Sequence, residues 1–136
     1  MADTLKLEIV TPEAKVFSDS VSMVVVPGAE GELGIMPMHI PLLTELKPGA
    51  LKITQGGQES YLAVGEGFVE VTQQSVTILT DMAIAEKEID EQKVQEAIER
   101  ARARMKEPNL SNEEVATVEA SIEKSLAQLH LKHRHR

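Results

Sequence analysis

Val76-Thr77-Ile78-Leu79-Thr80-Asp81-Met82-Ala83-Ile84-Ala85-Glu86-Lys87-Glu88-Ile89-Asp90-Glu91-Gln92-Lys93-Val94 changes its hydrophobic period within itself. At its start Val76 and Ile78 alternate with Thr77, the spacing of a strand with one buried face. After Ile89 the spacing becomes helical, so the chain divides into a β-rich part, residues 1–86, and a helical part, residues 87–136. Upstream, short runs rich in Val, Ile, Leu and Thr recur between turn signals. Leu51 and Ile53 alternate with Lys52 and Thr54, and Val69 and Val71 with Glu70 and Thr72. Gln55-Gly56-Gly57-Gln58 reads as a tight hairpin, Gln73-Gln74-Ser75 as another turn, and Pro27-Gly28, Pro37, Pro41 and Pro48-Gly49 punctuate the rest. No strand pair is stable alone, so two packed antiparallel sheets are the economical arrangement.

Downstream, Val94, Ile98, Ala101 and Met105 form a helical stripe that Asp90 is placed to cap and Glu107-Pro108-Asn109 stops. Ser111 followed by Glu114 is a capping-box signature. Val115, Val118, Ile122, Leu126 and Leu129 make a second stripe. The short connection predicts an antiparallel helical hairpin, whose apolar stripes close on each other or meet a partner. The end, His130-Leu131-Lys132-His133-Arg134-His135-Arg136, reads as a flexible basic tail rather than a metal site.

Composition excludes whole classes of function. The chain has 136 residues, a soft prior for one domain or one domain with an extension. Its 14 Lys and Arg against 22 Asp and Glu leave a net charge of −8, which phosphate backbones repel. One Tyr, two Phe and no Trp leave little for base stacking, and the absence of Cys removes disulfides, thiol nucleophiles and thiolate metal sites. No apolar run approaches the ~20 residues of a spanning helix. Asp3, Lys6 and Glu8 interrupt any signal-peptide core, so a cytosol-like setting is expected. The charge is unevenly divided: the −8 belongs to residues 1–88, whereas residues 100–106 carry +4 and residues 124–136 another +4.

The run from Gly28 to Gly49, Gly28-Ala29-Glu30-Gly31-Glu32-Leu33-Gly34-Ile35-Met36-Pro37-Met38-His39-Ile40-Pro41-Leu42-Leu43-Thr44-Glu45-Leu46-Lys47-Pro48-Gly49, resembles the signature G-x-x-G-x-x-G-I-x-P-G-H-x-P-L-L-T-x-L-x-P-G of epsilon subunits of bacterial F-type ATP synthases. Leu62–Val71, Val76–Asp81 and the two helices follow in that family's order, so the resemblance covers essentially the whole chain. Met38 stands where the family commonly has Gly; if the position needs positive φ, Met there costs conformational energy. The resemblance implies an all-β two-sheet sandwich of about ten strands followed by an antiparallel α-helical hairpin. It also implies a non-catalytic central-stalk subunit of a proton-translocating enzyme. Such a subunit joins c-ring rotation to the catalytic head and restrains ATP hydrolysis through its helices.

The same resemblance assigns residues. Glu30, Gly31 and Glu32 become a c-ring contact, and His39 and Asp81 a contact with the gamma subunit. Taken alone, the first three are a hydrophilic turn, the histidine a packing residue and the aspartate a strand terminator. Arg100, Arg102, Arg104 and Lys106 become a docking block for an acidic segment of the beta subunit, although in isolation a solvated face compensated by Glu96 and Glu99 is the better account of them. Some members bind ATP through an Ile/Leu-Asp-x-x-Arg-Ala motif. Here Ile89, Asp90 and Lys93, with Arg100, would form a weak version, because Lys replaces Arg at position 93 and Val94 replaces Ala. No cofactor is required and no metal is expected; ATP is the one candidate ligand. The rival reading is an ATP-sensing module whose hairpin changes conformation with nucleotide. The implied location is peripheral, on the cytoplasmic face of a bacterial inner membrane or on a thylakoid membrane.

Overall fold

The computed structural model describes residues 4–134. Ten strands come first: β1 Leu5–Val10, β2 Lys15–Val21, β3 Met23–Gly28, β4 Gly31–Ile35, β5 Leu42–Leu46, β6 Gly49–Gln55, β7 Gln58–Val64, β8 Gly67–Val71, β9 Ser75–Thr80 and β10 Ala83–Ala85. A 3₁₀ turn at Glu86–Glu88 leads into α1, Glu91–Met105, and α2, Asn112–Arg134. The expected sandwich followed by a helical hairpin is what the chain forms.

The strands follow one hydrogen-bonded path, β10-β7-β6-β3-β5-β8-β9-β1-β2, with β4 paired to β3 off that path. The path folds over a single apolar interior built from alternate residues, among them Leu5, Leu7 and Ile9 of β1, Leu51 and Ile53 of β6, Val69 and Val71 of β8, and Val76 and Ile78 of β9. Antiparallel pairing does not hold throughout. β1 runs parallel to β9, with Leu7 opposite Val76 and Ile9 opposite Ile78, because β1 must lie on β9 to close the interior and enters from the same end. Parallel neighbours need a long crossover, and the residues between β1 and β9 provide it.

Turn chemistry agrees with the sequence. Gly56 and Gly57 have φ of 57° and 81°, the paired positive values of a two-residue hairpin turn between β6 and β7. In the turn before β9, the Thr72 hydroxyl accepts from the Ser75 and Gln74 amides at 3.0 and 3.2 Å. Met38 does take positive φ, 69°, in the loop between β4 and β5, where its amide donates to the Gln73 carbonyl at 2.9 Å.

Both helices begin as their caps dictate. Asp90 accepts from the Lys93 amide at 3.1 Å, while Ser111 and Glu114 exchange reciprocal bonds of 3.0 and 3.3 Å. Asn109, at φ 69°, turns the chain between the helices. The hairpin lies against the outer face of β6, β7 and β10. There Ile89, Val94, Ile98 and Leu131 cluster on Ala63, with Ala50, Tyr61, Met82, Ile84, Leu126 and Leu129 around them. Small residues at positions 50 and 63 leave room for a helix. The apolar stripe of α2 is rotated from the expected one: Val118, Ala127 and Leu131 are buried, whereas Val115, Ile122, Leu126 and Leu129 are half-buried. Nor is the end of the chain a flexible tail through residue 134. α2 continues to Arg134, because Leu131 packs in the cluster, the His133 imidazole pairs with Glu91 and the Arg134 guanidinium lies 5.9 Å from the Tyr61 ring centroid. His135 lies outside the described residues.

Candidate functional site

The hairpin covers one outer face of the sandwich, and the face formed by β5, β8 and β9 stays open. Register fixes what it presents. Leu43 is opposite Glu70, Glu45 opposite Phe68, and Phe68 opposite Leu79, so these side chains share the outward side. Leu43, Phe68 and Leu79 are 70%, 54% and 52% exposed. The β4–β5 loop continues the strip with exposed Met36, Met38 and Ile40. Phe68 and Leu79 are direct cross-strand neighbours and Leu43 lies diagonal to Phe68, with Glu45 and Glu70 interspersed, so the open face carries an apolar cluster edged by carboxylates, and such a cluster marks an interaction surface where single exposed apolar residues do not. Sequence reasoning missed it, yet a signal was present. Once Val69, Val71, Val76 and Ile78 are assigned inward, Phe68 and Leu79 fall on the solvent side, where an apolar residue has no structural purpose.

His39 and Asp81 bracket this strip at its two ends. His39, half-buried in the β4–β5 loop, donates from Nδ1 to the Ile40 carbonyl at 2.7 Å. Asp81 lies just beyond β9 and is held by Lys124 of α2, Oδ2 to Nζ 3.5 Å. The six residues of β9 separate the two ends by about 20 Å, so the pair frames a surface rather than forming one site.

Glu30, Gly31 and Glu32 sit at the β3–β4 hairpin tip, all exposed, and Gly31 takes φ 119° to allow the tight reversal. Glu32 also lines a shallow recess with Val25, Lys52, Tyr61 and Arg134, beside the last turn of α2. Arg100, Arg102, Arg104 and Lys106 are exposed along the second half of α1. Arg104 bonds Glu114 at 3.2 Å, whereas among the described residues the other three side chains have no ion-pair partner.

The candidate ATP residues are dispersed by their structural roles. Ile89 is buried in the hairpin cluster, Asp90 caps α1 and Lys93 is exposed. Arg100 lines an open groove between the helices with Ala97, Ala101, Thr117 and Ser121, and none of the other three candidates reaches it. Among the described residues no three His, Asp or Glu side chains converge as a metal site, and no helix is long and apolar enough to cross a membrane.

Comparison with known proteins accounts for both parts of the chain. Residues 4–86 match the ATP synthase, Delta/Epsilon chain, beta-sandwich domain, and residues 87–132 match the ATP synthase, Delta/Epsilon chain, long alpha-helix domain. The ATP synthase epsilon chain of Desulforamulus reducens is 41% identical over 129 residues, covering 95% of this chain and 97% of that one. That of Carboxydothermus hydrogenoformans is 47% identical over 105 residues, 77% and 78% of the two chains. In fold, a chain of the Euglena gracilis mitochondrial ATP synthase OSCP/F1/c-ring assembly superposes with a TM-score of 0.79 at 24% identity, covering 100% of this chain and 84% of that one. A chain of the Tetrahymena thermophila mitochondrial ATP synthase central stalk and c-ring gives 0.60 at 16% identity, over 94% and 96%. With a matching sandwich, a matching helical domain and relatives aligned almost end to end, the chain belongs to the ATP synthase delta/epsilon chain family.

Proposed function

We propose that the chain is a non-catalytic rotor subunit of the central stalk, seated by the β5–β8–β9 face on the gamma subunit and by the β3–β4 tip on the c-ring. The observation that carries this reading is the open apolar strip of Leu43, Phe68 and Leu79, next to a sandwich face already covered by the chain's own helices. A rotating element must stay attached under load, and burying such a strip supplies about 25 cal/mol for each Å² of apolar surface removed from water. The acidic tip is suited to a polar or basic loop. The subunit would then be peripheral, held at the cytoplasmic face of a bacterial inner membrane or at a thylakoid membrane only through its complex. The basic block of Arg100, Arg102, Arg104 and Lys106 supports contact with an acidic segment of the beta subunit, through which the helices restrain hydrolysis.

The test is joint substitution of Leu43→Glu and Phe68→Glu, followed by co-purification with gamma. Both side chains point to solvent, so the isolated chain keeps its β-sheet circular dichroism while gamma is lost from the eluate. Undiminished co-purification places the attachment elsewhere and overturns the assignment.

A further inference from the structure

The chain has six methionines and no cysteine, so thioethers are its only sulfur groups. Two of them stand apart. Met36 and Met38 are 59% and 60% exposed, whereas Met23, Met82 and Met105 are half-buried. Met23 packs over Gly34, where an added Cβ would stand 2.9 Å from its Cε, and Met82 Sδ accepts from Gln128 Nε2 at 3.2 Å. The two open sulfurs thus share one loop, and that loop adjoins the open β5–β8–β9 face at its Leu43 end.

Their exposure is built into the backbone. The His39 amide donates to the Met36 carbonyl at 3.2 Å, closing a four-residue turn with Pro37 and Met38 at its centre. Proline at the second position and a φ of 69° at the third make it a type II turn. The Met38 amide reaches out of the turn to the Gln73 carbonyl at 2.9 Å, which fastens the loop to the connection between β8 and β9. Held by these two bonds and the proline ring, the loop keeps both thioethers outward beside exposed Ile40 and Leu43.

We propose that Met36 and Met38 are an oxidation site of the unassembled chain, and that their conversion to sulfoxides by a peroxide bars the open face from its partner. The inference rests on the reading of this face as the gamma seat. Once seated, the thioethers are covered, so the reaction belongs to the chain before assembly. In it a sulfur lone pair attacks one peroxide oxygen, the O–O bond breaks and an S–O bond forms. The thioether loses two electrons, and hydrogen peroxide, having delivered one oxygen, leaves as water. An adaptable apolar side chain thereby becomes a polar, chiral one. Docking then has to bury a sulfoxide oxygen against apolar groups, and a polar atom buried without a partner opposes it. The half-buried thioethers react later, because exposure governs susceptibility.

The test treats the full chain with dilute hydrogen peroxide, reads the oxidised positions by tandem mass spectrometry and measures binding to gamma by titration. Met36 and Met38 are expected to gain oxygen before Met23, Met82 and Met105. The affinity for gamma is expected to fall roughly tenfold or more, as burial of an unpaired polar group requires. Reduction by methionine sulfoxide reductases for both epimers restores it. The double variant Met36→Leu with Met38→Leu, apolar but without sulfur at these positions, binds gamma as the unaltered chain does and keeps its affinity through the same treatment. Amide exchange in β8 and β9, the same before and after treatment, shows that the sandwich is intact. Full affinity in a chain oxidised at both positions overturns the proposal, as does an equal loss of affinity in the treated double variant. Failure of the seat itself is a separate result, read in the untreated chain as gamma binding that survives Leu43→Glu with Phe68→Glu.

Discussion

At the scale of single residues, Met38 shows what a sequence pattern carries and what it conceals. The family signature has Gly at this place, and the positive φ that glycine favours is retained here by methionine. The hydrogen bond that the Met38 amide donates to the Gln73 carbonyl holds the loop in that turn. Left-handed backbone costs a residue with a Cβ about 1–2 kcal/mol, and replacing it by glycine returns part of that at an entropic cost of about 0.5–1 kcal/mol. Met38→Gly is therefore expected to stabilise the isolated chain by about 0.5–1 kcal/mol, seen as a higher urea midpoint at unchanged slope. Since the side chain is 60% exposed, no core contact is lost. The opposite sign is expected for association: if the strip seats gamma, removing this thioether weakens that binding. The residue was legible as anomalous from its sequence alone, but the reason for tolerating it lies in a surface that only the fold assembles.

At the scale of elements, the caps were the most legible features because each is a local interaction with a fixed spacing. The capping box of α2 carries a pH dependence. The Glu114 carboxyl is held below its usual range, first by the hydrogen bond from the Ser111 amide, then by the Ser111 hydroxyl, with Arg104 adding to both. A depressed folded-state value means that the stabilisation is fully present above the unfolded value, near 4.5, and is lost as pH falls through the lowered one. Amide exchange at the start of α2 is thus expected to accelerate on acidification below that range, and Glu114→Gln, which removes the titrating carboxyl, should abolish the acceleration. An unaltered pH response in Glu114→Gln would show that another carboxyl controls the helix start. Strand pairing was less legible. Alternation says which face of a strand is buried but not which strand lies beside it, so the parallel β1–β9 pair and the short β10 had no signature. The buried row of α2 was misread for a related reason: Ala127 counts for little in a hydrophobic stripe, yet it is the small residue that allows close packing on the sheet.

At the scale of the molecule, the change of period near Asp81–Asp90 divides two interiors as well as two kinds of structure. The sandwich interior draws on strand residues only, from Leu5 to Ile78, with Ala83 packed against it. The second cluster needs both halves, since Ala63 comes from β7 and Ile89, Val94, Ile98 and Leu131 from the helical part. What the sequence left illegible was the outward side of the strands, because the rule that buries one face is silent about an apolar residue such as Leu43 on the other. The division into interiors predicts an asymmetric dependence. A chain ending at Glu86 keeps every residue of the sandwich interior and should unfold cooperatively in urea, about 2–3 kcal/mol less stable than the full chain, the value of one or two buried aliphatic side chains. Its loss falls on Ala50, Tyr61, Ala63 and Ile84, which the hairpin had covered, so concentration-dependent self-association is expected to accompany the truncation. The complementary piece, residues 87–136, has no sheet to receive Ile89 and Leu131, and most of the stability of helices in proteins comes from packing an amphipathic face. Far-UV circular dichroism of that piece should show clearly less helix than the full chain contributes, recovered when the two pieces are mixed. A truncated sandwich without a cooperative transition, or a helical piece with undiminished helicity, would show that the interiors are not divided in this way.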